Sequence, residues 1–180
     1  MNKVTVISAS PSEKSRLNGI LNYVNTYLEH ADIELDVIEI RNLPAEDLIH
    51  ANFSSEEIQE ANNKIADSSF VVILTPIYKS SFSGLLKTYL DLLPQNSLDD
   101  KTILPISIGG TFGHLLMIDY ALKPVLCVLG ATHILKGVFV LDSQVKKLGN
   151  HLFELEAEVK DRLNTSLNSL EIKSVSNIPI

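Results

Sequence analysis

At 180 residues the chain is long enough for one domain with a full core, and no Pro/Gly/Ser-rich linker divides residues 1–180. A net charge of −7 with no Lys/Arg cluster argues against binding nucleic acid. No apolar run approaches the roughly 18 residues that a membrane span needs, and the first residues lead straight into a strand, so the expectation is a cytoplasmic protein.

Val4 to Ile7 read as a first short apolar strand. The turn that follows, Ser8-Ala9-Ser10-Pro11-Ser12-Glu13-Lys14-Ser15-Arg16, holds four serines and leads into a helix beginning near Ser15. In that helix Leu17, Ile20, Leu21, Val24 and Leu28 keep helical spacing. A strand–turn–helix of this kind can cage a phosphate: backbone N–H groups and the helix dipole face the anion, hydroxyls donate, and a guanidinium adds a charge-assisted bond. No G-x-x-x-x-G-K-[ST] occurs and no G-x-G-x-x-G follows the strand. A P-loop NTPase and a Rossmann-type dinucleotide site are therefore excluded, and one terminal monophosphate suits the turn better.

Glu34 to Ile40 form the second strand, Asn42 to Ser55 an irregular loop, and Glu56 to Ser68 a helix with Ile58, Ala61 and Ile65 inward. Phe70 to Leu74 are five consecutive apolar residues, the pattern of a strand covered on both faces, and Pro76 is expected to stop it. From Ser83, a candidate cap, Leu85, Leu86, Tyr89, Leu90 and Leu93 define a helix that Pro94 ends. Between strand and helix, Pro76-Ile77-Tyr78-Lys79-Ser80-Ser81-Phe82 reads as a long loop. In an open α/β sheet the carboxyl end of a strand is where ligands bind, and two aromatics, a Lys and hydroxyls suit a flat heteroaromatic.

Thr102 to Ile108 form the fourth strand, ending in Gly109-Gly110-Thr111-Phe112-Gly113-His114, where glycines permit close approach of the backbone to a ligand. The helix His114 to Leu129 carries Pro124 in its interior. Pro124 has no N–H for Tyr120, four residues earlier, so a kink or a π-bulge around Tyr120 is expected. Cys127, the single cysteine, reads as a small buried hydrophobe. Five scattered histidines and the absence of C-x-x-C give no metal-ligand spacing. Ile134 to Leu141 form the fifth strand and Asn150 to Leu170 a last helix with Leu152, Leu155, Val159, Leu163 and Leu167 inward. The tail Ile172 to Ile180 carries no functional signal.

Five strands alternating with helices give an α/β fold, a doubly wound five-stranded parallel sheet in the flavodoxin-like order 2-1-3-4-5. That order makes neighbours of the first, third and fourth strands, whose carboxyl-end turns are the serine turn, the Tyr78 segment and the Gly-Gly-Thr turn.

The run Thr75-Pro76-Ile77-Tyr78-Lys79 through Phe82-Ser83-Gly84-Leu85-Leu86-Lys87 to Leu92-Leu93-Pro94 resembles the NAD(P)H-dependent FMN reductases of the flavodoxin-like superfamily. It is most similar to the branch serving alkanesulfonate monooxygenase systems. Further matches are Ser10, Ser15 and Arg16 to the family's S-x-x-x-x-S-R, and Gly109-Gly110-Thr111 followed by His114-Leu115-Leu116. Asp119 to Leu126 match D-Y-A-L-K-P-V-L, and Leu141 to Val145 resemble D-D-S-Q-V. Ser8 stands where relatives often have Gly or Ser. The likeness runs from the first strand to about Val145.

The resemblance implies FMN and NADPH as cofactors, held without a catalytic side chain or a metal. Nicotinamide would stack on the flavin and pass a hydride to N5. Ser10, Ser15, Arg16 and Leu17 would hold the phosphate, with Pro76, Ile77, Tyr78, Lys79 and Ser81 over the ring and Gly109, Gly110 and Thr111 along its edge. Tyr120 would sit at a subunit interface and act in flavin exchange, in a homodimer or homotetramer feeding a flavin-dependent monooxygenase. Two other readings stay open: an enzyme that keeps its FMN and reduces quinones or azo dyes, and a flavodoxin-type electron carrier. Nothing in the sequence separates NADPH from NADH, or flavin as substrate from flavin as prosthetic group. A serine hydrolase is excluded, since no G-x-S-x-G occurs.

Overall fold

The computed structural model describes residues 3–31, 33–149 and 151–170. Along the chain run β1 (Lys3–Ser8), α1 (Leu17–His30), β2 (Glu34–Glu39), α2 (Ala45–Ile49), α3 (Glu56–Ala66), β3 (Phe70–Tyr78), β4 (Ser81–Phe82) and α4 (Gly84–Leu90). Then come β5 (Thr102–Gly109), α5 (Lys123–Val128), β6 (His133–Ile134), β7 (Val138–Leu141), β8 (Val145–Gly149), β9 (Leu152–Leu155) and α6 (Ala157–Asn168). The central strands lie in the order β2-β1-β3-β5, with β6 and β7 both on the outer edge of β5, and all these pairs are parallel. This is the flavodoxin-like arrangement expected from the sequence.

Alternate strand residues feed two cores. Ile7, Val71, Ile73 and Ile103 pack with α3, α4 and α5 on one face, while Val6, Val72, Leu74 and Ile106 pack with α1 and α6 on the other. Covering on both faces is why the strands read as unbroken apolar runs. In the first of these cores Tyr89 is fully buried, and burial pushes its phenol well above the ordinary tyrosine range.

Two prolines explain where the strands depart from expectation. β3 does not stop at Pro76; it continues to Tyr78. The Leu74 carbonyl accepts from Ala9 N–H at 2.9 Å, so Leu74 and Pro76 turn their backbone polar groups toward β1. β1 has already ended at Ser8, opposite Leu74, so the missing N–H of Pro76 breaks no ladder bond. Pro105 has the opposite effect. The Ile103 carbonyl accepts from Leu135 N–H at 2.9 Å, so residues 103 and 105 face the fifth strand. Pro105 has no N–H on that side, and the expected strand Ile134–Leu141 is split into β6 and β7 around it.

Four further expectations are corrected. The loop Asn42–Ser55 contains α2, which Pro44 and the acidic Glu46 and Asp47 start. The segment expected as a helix from Asn150 begins instead as the hairpin β8–β9, and helix follows only from Ala157; Asn150 itself and the tail from residue 171 lie outside the described residues. Leu152 is consequently exposed, whereas Val159, Leu163 and Leu167 are buried as expected. The long helix His114–Leu129 is a 3-10 turn at Phe112–His114, a π-helical turn at Ile118–Leu122, and α5. Finally, Cys127 is exposed: Leu122, Leu126 and Leu129 take the core-facing stripe, which leaves Cys127 and Val128 on the outer face.

Candidate functional site

The carboxyl ends of β1, β3 and β5 share one rim, since Ser8 pairs with Leu74 and Pro76 with Ile108. Three turns leave it side by side.

After β1, residues 9–16 form the serine turn. Ser10 is buried and its hydroxyl donates to the Ser12 carbonyl at 2.9 Å. That carbonyl also accepts from Ser15 N–H at 3.1 Å and from Asn18 Nδ2 at 2.9 Å. The Ser15 hydroxyl accepts from Leu17 N–H, the first of α1, at 3.3 Å. The Leu17 side chain belongs to the core, so only its backbone faces the turn. Arg16 is exposed and donates from Nε to the Val145 carbonyl at 3.0 Å, which ties the turn to β8. The Ser8 hydroxyl is buried with no hydrogen-bond partner.

After β3 the expected long loop is a two-residue hairpin. Tyr78 pairs with Ser81 and Ile77 with Phe82, and the turn residues Lys79 and Ser80 have φ of 50° and 64°. Two successive left-handed residues match the right-handed twist of a hairpin, and non-glycine residues adopt them at some strain. Tyr78, Lys79 and Ser80 are exposed and Pro76 is buried. Underneath, the buried Thr75 hydroxyl accepts from Ser83 N–H at 3.0 Å, and the Ser83 hydroxyl accepts from Leu86 N–H at 3.2 Å. Ser83 thus caps α4 as the sequence suggested.

After β5 comes Gly109-Gly110-Thr111. A Cβ on Gly109 would lie 3.3 Å from Ile77 Cδ1 and 3.4 Å from Phe139 Cε2, so the glycine lets the second and third turns meet. At Gly110 the nearest atom to such a Cβ is Asp142 Oδ2, 3.7 Å away. The Thr111 hydroxyl accepts from Gly113 N–H at 3.2 Å, starting the 3-10 turn. The π-helical turn beyond it holds Tyr120, which is 78% exposed and lies near the exposed Phe112, Leu115, Leu116 and Val128 in the chain. Among the described residues no group of three or more His, Cys, Asp or Glu side chains is placed to hold a metal, and no helix is long and apolar enough to cross a membrane.

Several residues that sequence reasoning passed over support this rim. Asn18, Thr75 and Gln144 are buried polar side chains. Gln144 Oε1 accepts from Leu141 N–H at 3.1 Å and from Arg162 Nη2 at 3.0 Å, while Arg162 Nη1 donates to the Phe139 carbonyl at 2.7 Å. Together these fix the Asp142–Gln144 turn beside Gly110. The signal available for Asn18 was a polar residue between Leu17 and Gly19 at the start of an otherwise apolar helix.

A parallel sheet with helices on both faces, and with a serine-rich turn, an aromatic hairpin and a glycine turn at its carboxyl rim, defines a flavodoxin-like protein. Comparison with known proteins gives the family. Residues 2–146 match the family model described as NADPH-dependent FMN reductase. The chain is 41% identical to an FMN reductase (NADPH) of Pseudomonas putida, over 94% of this chain and 86% of the relative. It is 39% identical to an FMN reductase (NADPH) of Escherichia coli K12, over 93% and 87%. The crystal structure of an NADH:FMN oxidoreductase (EMOB) in its apo form superposes with a TM-score of 0.83 at 30% identity, covering 99% of this chain and 92% of that one. The chain belongs to the NADPH-dependent FMN reductase family. It is an oxidoreductase, and the family's cofactor pair is FMN and NADPH.

Proposed function

We propose that residues 1–180 act as one domain in which the three turns of the rim bind FMN, leaving one face of the ring open to NADPH. The reduced FMN then passes to a flavin-dependent monooxygenase that removes sulfur from sulfonates. The observation that carries the binding part is the adjacency of the three turns on β1, β3 and β5, with Ile77 against Gly109.

The chemistry of each turn fits its assigned part of FMN. The Ser12 carbonyl has two lone pairs and three donors, so the Ser10 hydroxyl can turn to a phosphate while Ser15 and Asn18 keep the carbonyl satisfied. Ser15 accepts through its oxygen from Leu17 N–H and keeps its proton to donate. Arg16 uses Nε for Val145, and its Nη groups supply positive charge at the start of α1. Pro76, Ile77, Tyr78, Lys79 and Ser81 cover the ring, and the backbone of Gly109, Gly110 and Thr111 borders its edge. FMN, when bound, supplies the hydride-accepting ring, and the side chains bind and orient it without acting as nucleophile or base.

The sulfonate assignment rests on the run Asp119 to Leu126 and on the π-helical turn at Tyr120. The same turn supports a homodimer or homotetramer, because exposed Tyr120, Cys127 and Val128 leave one apolar face of this segment uncovered in a single chain. Oxidation of NADPH by purified protein, with and without added FMN, tests the reading. A colourless protein whose NADPH oxidation rises with added FMN supports it. A yellow protein that reduces quinones without free FMN favours the flavin-retaining alternative. Tyr120→Ala is expected to shift the oligomer toward smaller species in sedimentation and to change flavin retention. If both stay at wild-type values, Tyr120 only packs at the Pro124 kink.

A further inference from the structure

We infer that Asn18 is a positioning residue that shapes the serine turn for a phosphate, and that Arg41 holds Asn18 in the required orientation. The inference rests on the reading of residues 10–16 as the phosphate turn and adds to it residues that touch no part of the ligand.

Asn18 is 7% exposed, on the first turn of α1. Its Nδ2 donates to two successive carbonyls, Ser12 and Glu13, both at 2.9 Å. Its Oδ1 accepts from Arg41 Nη1 at 3.2 Å, and Arg41 Nη2 is paired with Glu39. The amide is therefore oriented from both ends: donors face carbonyls, and the acceptor faces a guanidinium that has no acceptor to offer.

The consequence for the turn follows from peptide geometry. In a trans peptide the C=O of one residue and the N–H of the next point in opposite directions. Drawing the Ser12 and Glu13 carbonyls onto one amide therefore turns the N–H groups of Glu13 and Lys14 the other way, away from Asn18. Successive N–H groups pointing to one side form a concavity that binds anions. Asn18 also supplies one of the two bonds that keep the Ser12 carbonyl satisfied when the Ser10 hydroxyl leaves it for the phosphate. Arg41 follows β2 in a short 3-10 segment, and β2 is the neighbour of β1. The edge of the sheet is thereby connected to the phosphate turn through two side chains, Arg41 and Asn18.

The test compares the dissociation constants of FMN and riboflavin, which differ only by the phosphate, by quenching of flavin fluorescence. Wild type is expected to prefer FMN. Asn18→Leu keeps the volume and removes every side-chain hydrogen bond; it should lower the riboflavin-to-FMN ratio of dissociation constants by ~10-fold, because the Glu13 carbonyl loses its donor and the Ser12 carbonyl loses one of three. Riboflavin binding itself should stay within about twofold, since the ring contacts are untouched. Asn18→Asp, which offers no donor, should lower the ratio at least as far. Arg41→Gln, at a partly exposed position, should lower it by roughly threefold, and it serves if the Asn18 variants fail to fold. Arg16→Ala is the control on the underlying reading. An unchanged ratio in Asn18→Leu alongside a collapsed ratio in Arg16→Ala overturns the role of Asn18 alone. Proportional weakening of FMN and riboflavin also overturns it, since that marks general damage. With no folded Asn18 variant, an unchanged ratio in Arg41→Gln does the same. A wild type without FMN preference, or an unchanged ratio in Arg16→Ala, removes the phosphate-turn reading and the Asn18 role with it.

Discussion

The serine turn and the Tyr78 hairpin stand on neighbouring strands of one rim and are held by opposite means. The serine turn has no left-handed residue among positions 9–16; its shape comes from a buried amide, Asn18, reaching back from α1 to the Ser12 and Glu13 carbonyls. The Tyr78 hairpin is shaped by its own backbone, with Lys79 and Ser80 both left-handed, and is seated by the buried Thr75 hydroxyl beneath it. The first device directs backbone donors and leaves hydroxyls loosely committed, which suits an anion that needs many hydrogen bonds. The second stiffens an exposed aromatic flap, which suits a flat ring that needs a surface. A side-chain amide organises one, and strand pairing that holds two residues left-handed organises the other.

The comparison can be broken first at Gly19. A Cβ there would lie 2.6 Å from Phe153 Cβ and 3.1 Å from Val145 Cγ1, so Gly19→Ala must push the β8–β9 hairpin off α1. The expected loss is about 3 kcal/mol in urea unfolding. FMN binding should weaken as well, because Val145 carries the carbonyl that holds Arg16. Weaker FMN binding with normal stability would show that the contact matters only to the turn.

Thr75→Val attacks the other region. It leaves the buried Ser83 N–H without its acceptor, at about 2 kcal/mol by the same unfolding measurement. The serine turn should keep its preference for FMN over riboflavin, and a loss of that preference would mean that the two turns are not independent. Arg16→Ala removes the guanidinium at the start of α1. FMN affinity is expected to fall about tenfold, or ~1.4 kcal/mol, with the fold intact; an unchanged flavin titration removes Arg16 from the phosphate site. The smallest effect is expected from Ser80→Gly. Glycine tolerates φ of 64° without the Cβ penalty, so stability should rise by a few tenths of a kcal/mol, up to about 1. A destabilised Ser80→Gly protein would show that the hairpin is not strained and would end the contrast.

Much of the rim was legible because its signals are local. The apolar runs of β1, β3 and β5, the Ser83 cap and the glycines after β5 each depend on residues within one turn or strand. The π-helical turn at Tyr120 was legible for the same reason, because Pro124 denies its N–H to a residue four positions away. The hairpin at Lys79–Ser80 was not, since neither residue is a glycine or asparagine and both are left-handed only because Tyr78 and Ser81 pair. Cys127 was misplaced because its exposure depends on which stripe of a helix with a π-helical turn meets the sheet. The hairpin β8–β9 was missed because Leu152, Leu155 and Val159 keep helical spacing, although the first two lie on a strand.

By itself the amino-acid order determined the apolar runs of β1, β3 and β5, the Ser83 cap and the chemical character of the three turns, because burial on both faces, proline geometry and helix capping act between near neighbours. Only the tertiary structure decided that β3 runs on through Pro76 while Pro105 splits the strand beside β5 into β6 and β7, that Val145 meets Arg16, and that Arg41 meets Asn18. Those outcomes depend on which side of a strand a missing donor faces and on side chains brought together from distant positions, and no local pattern carries either.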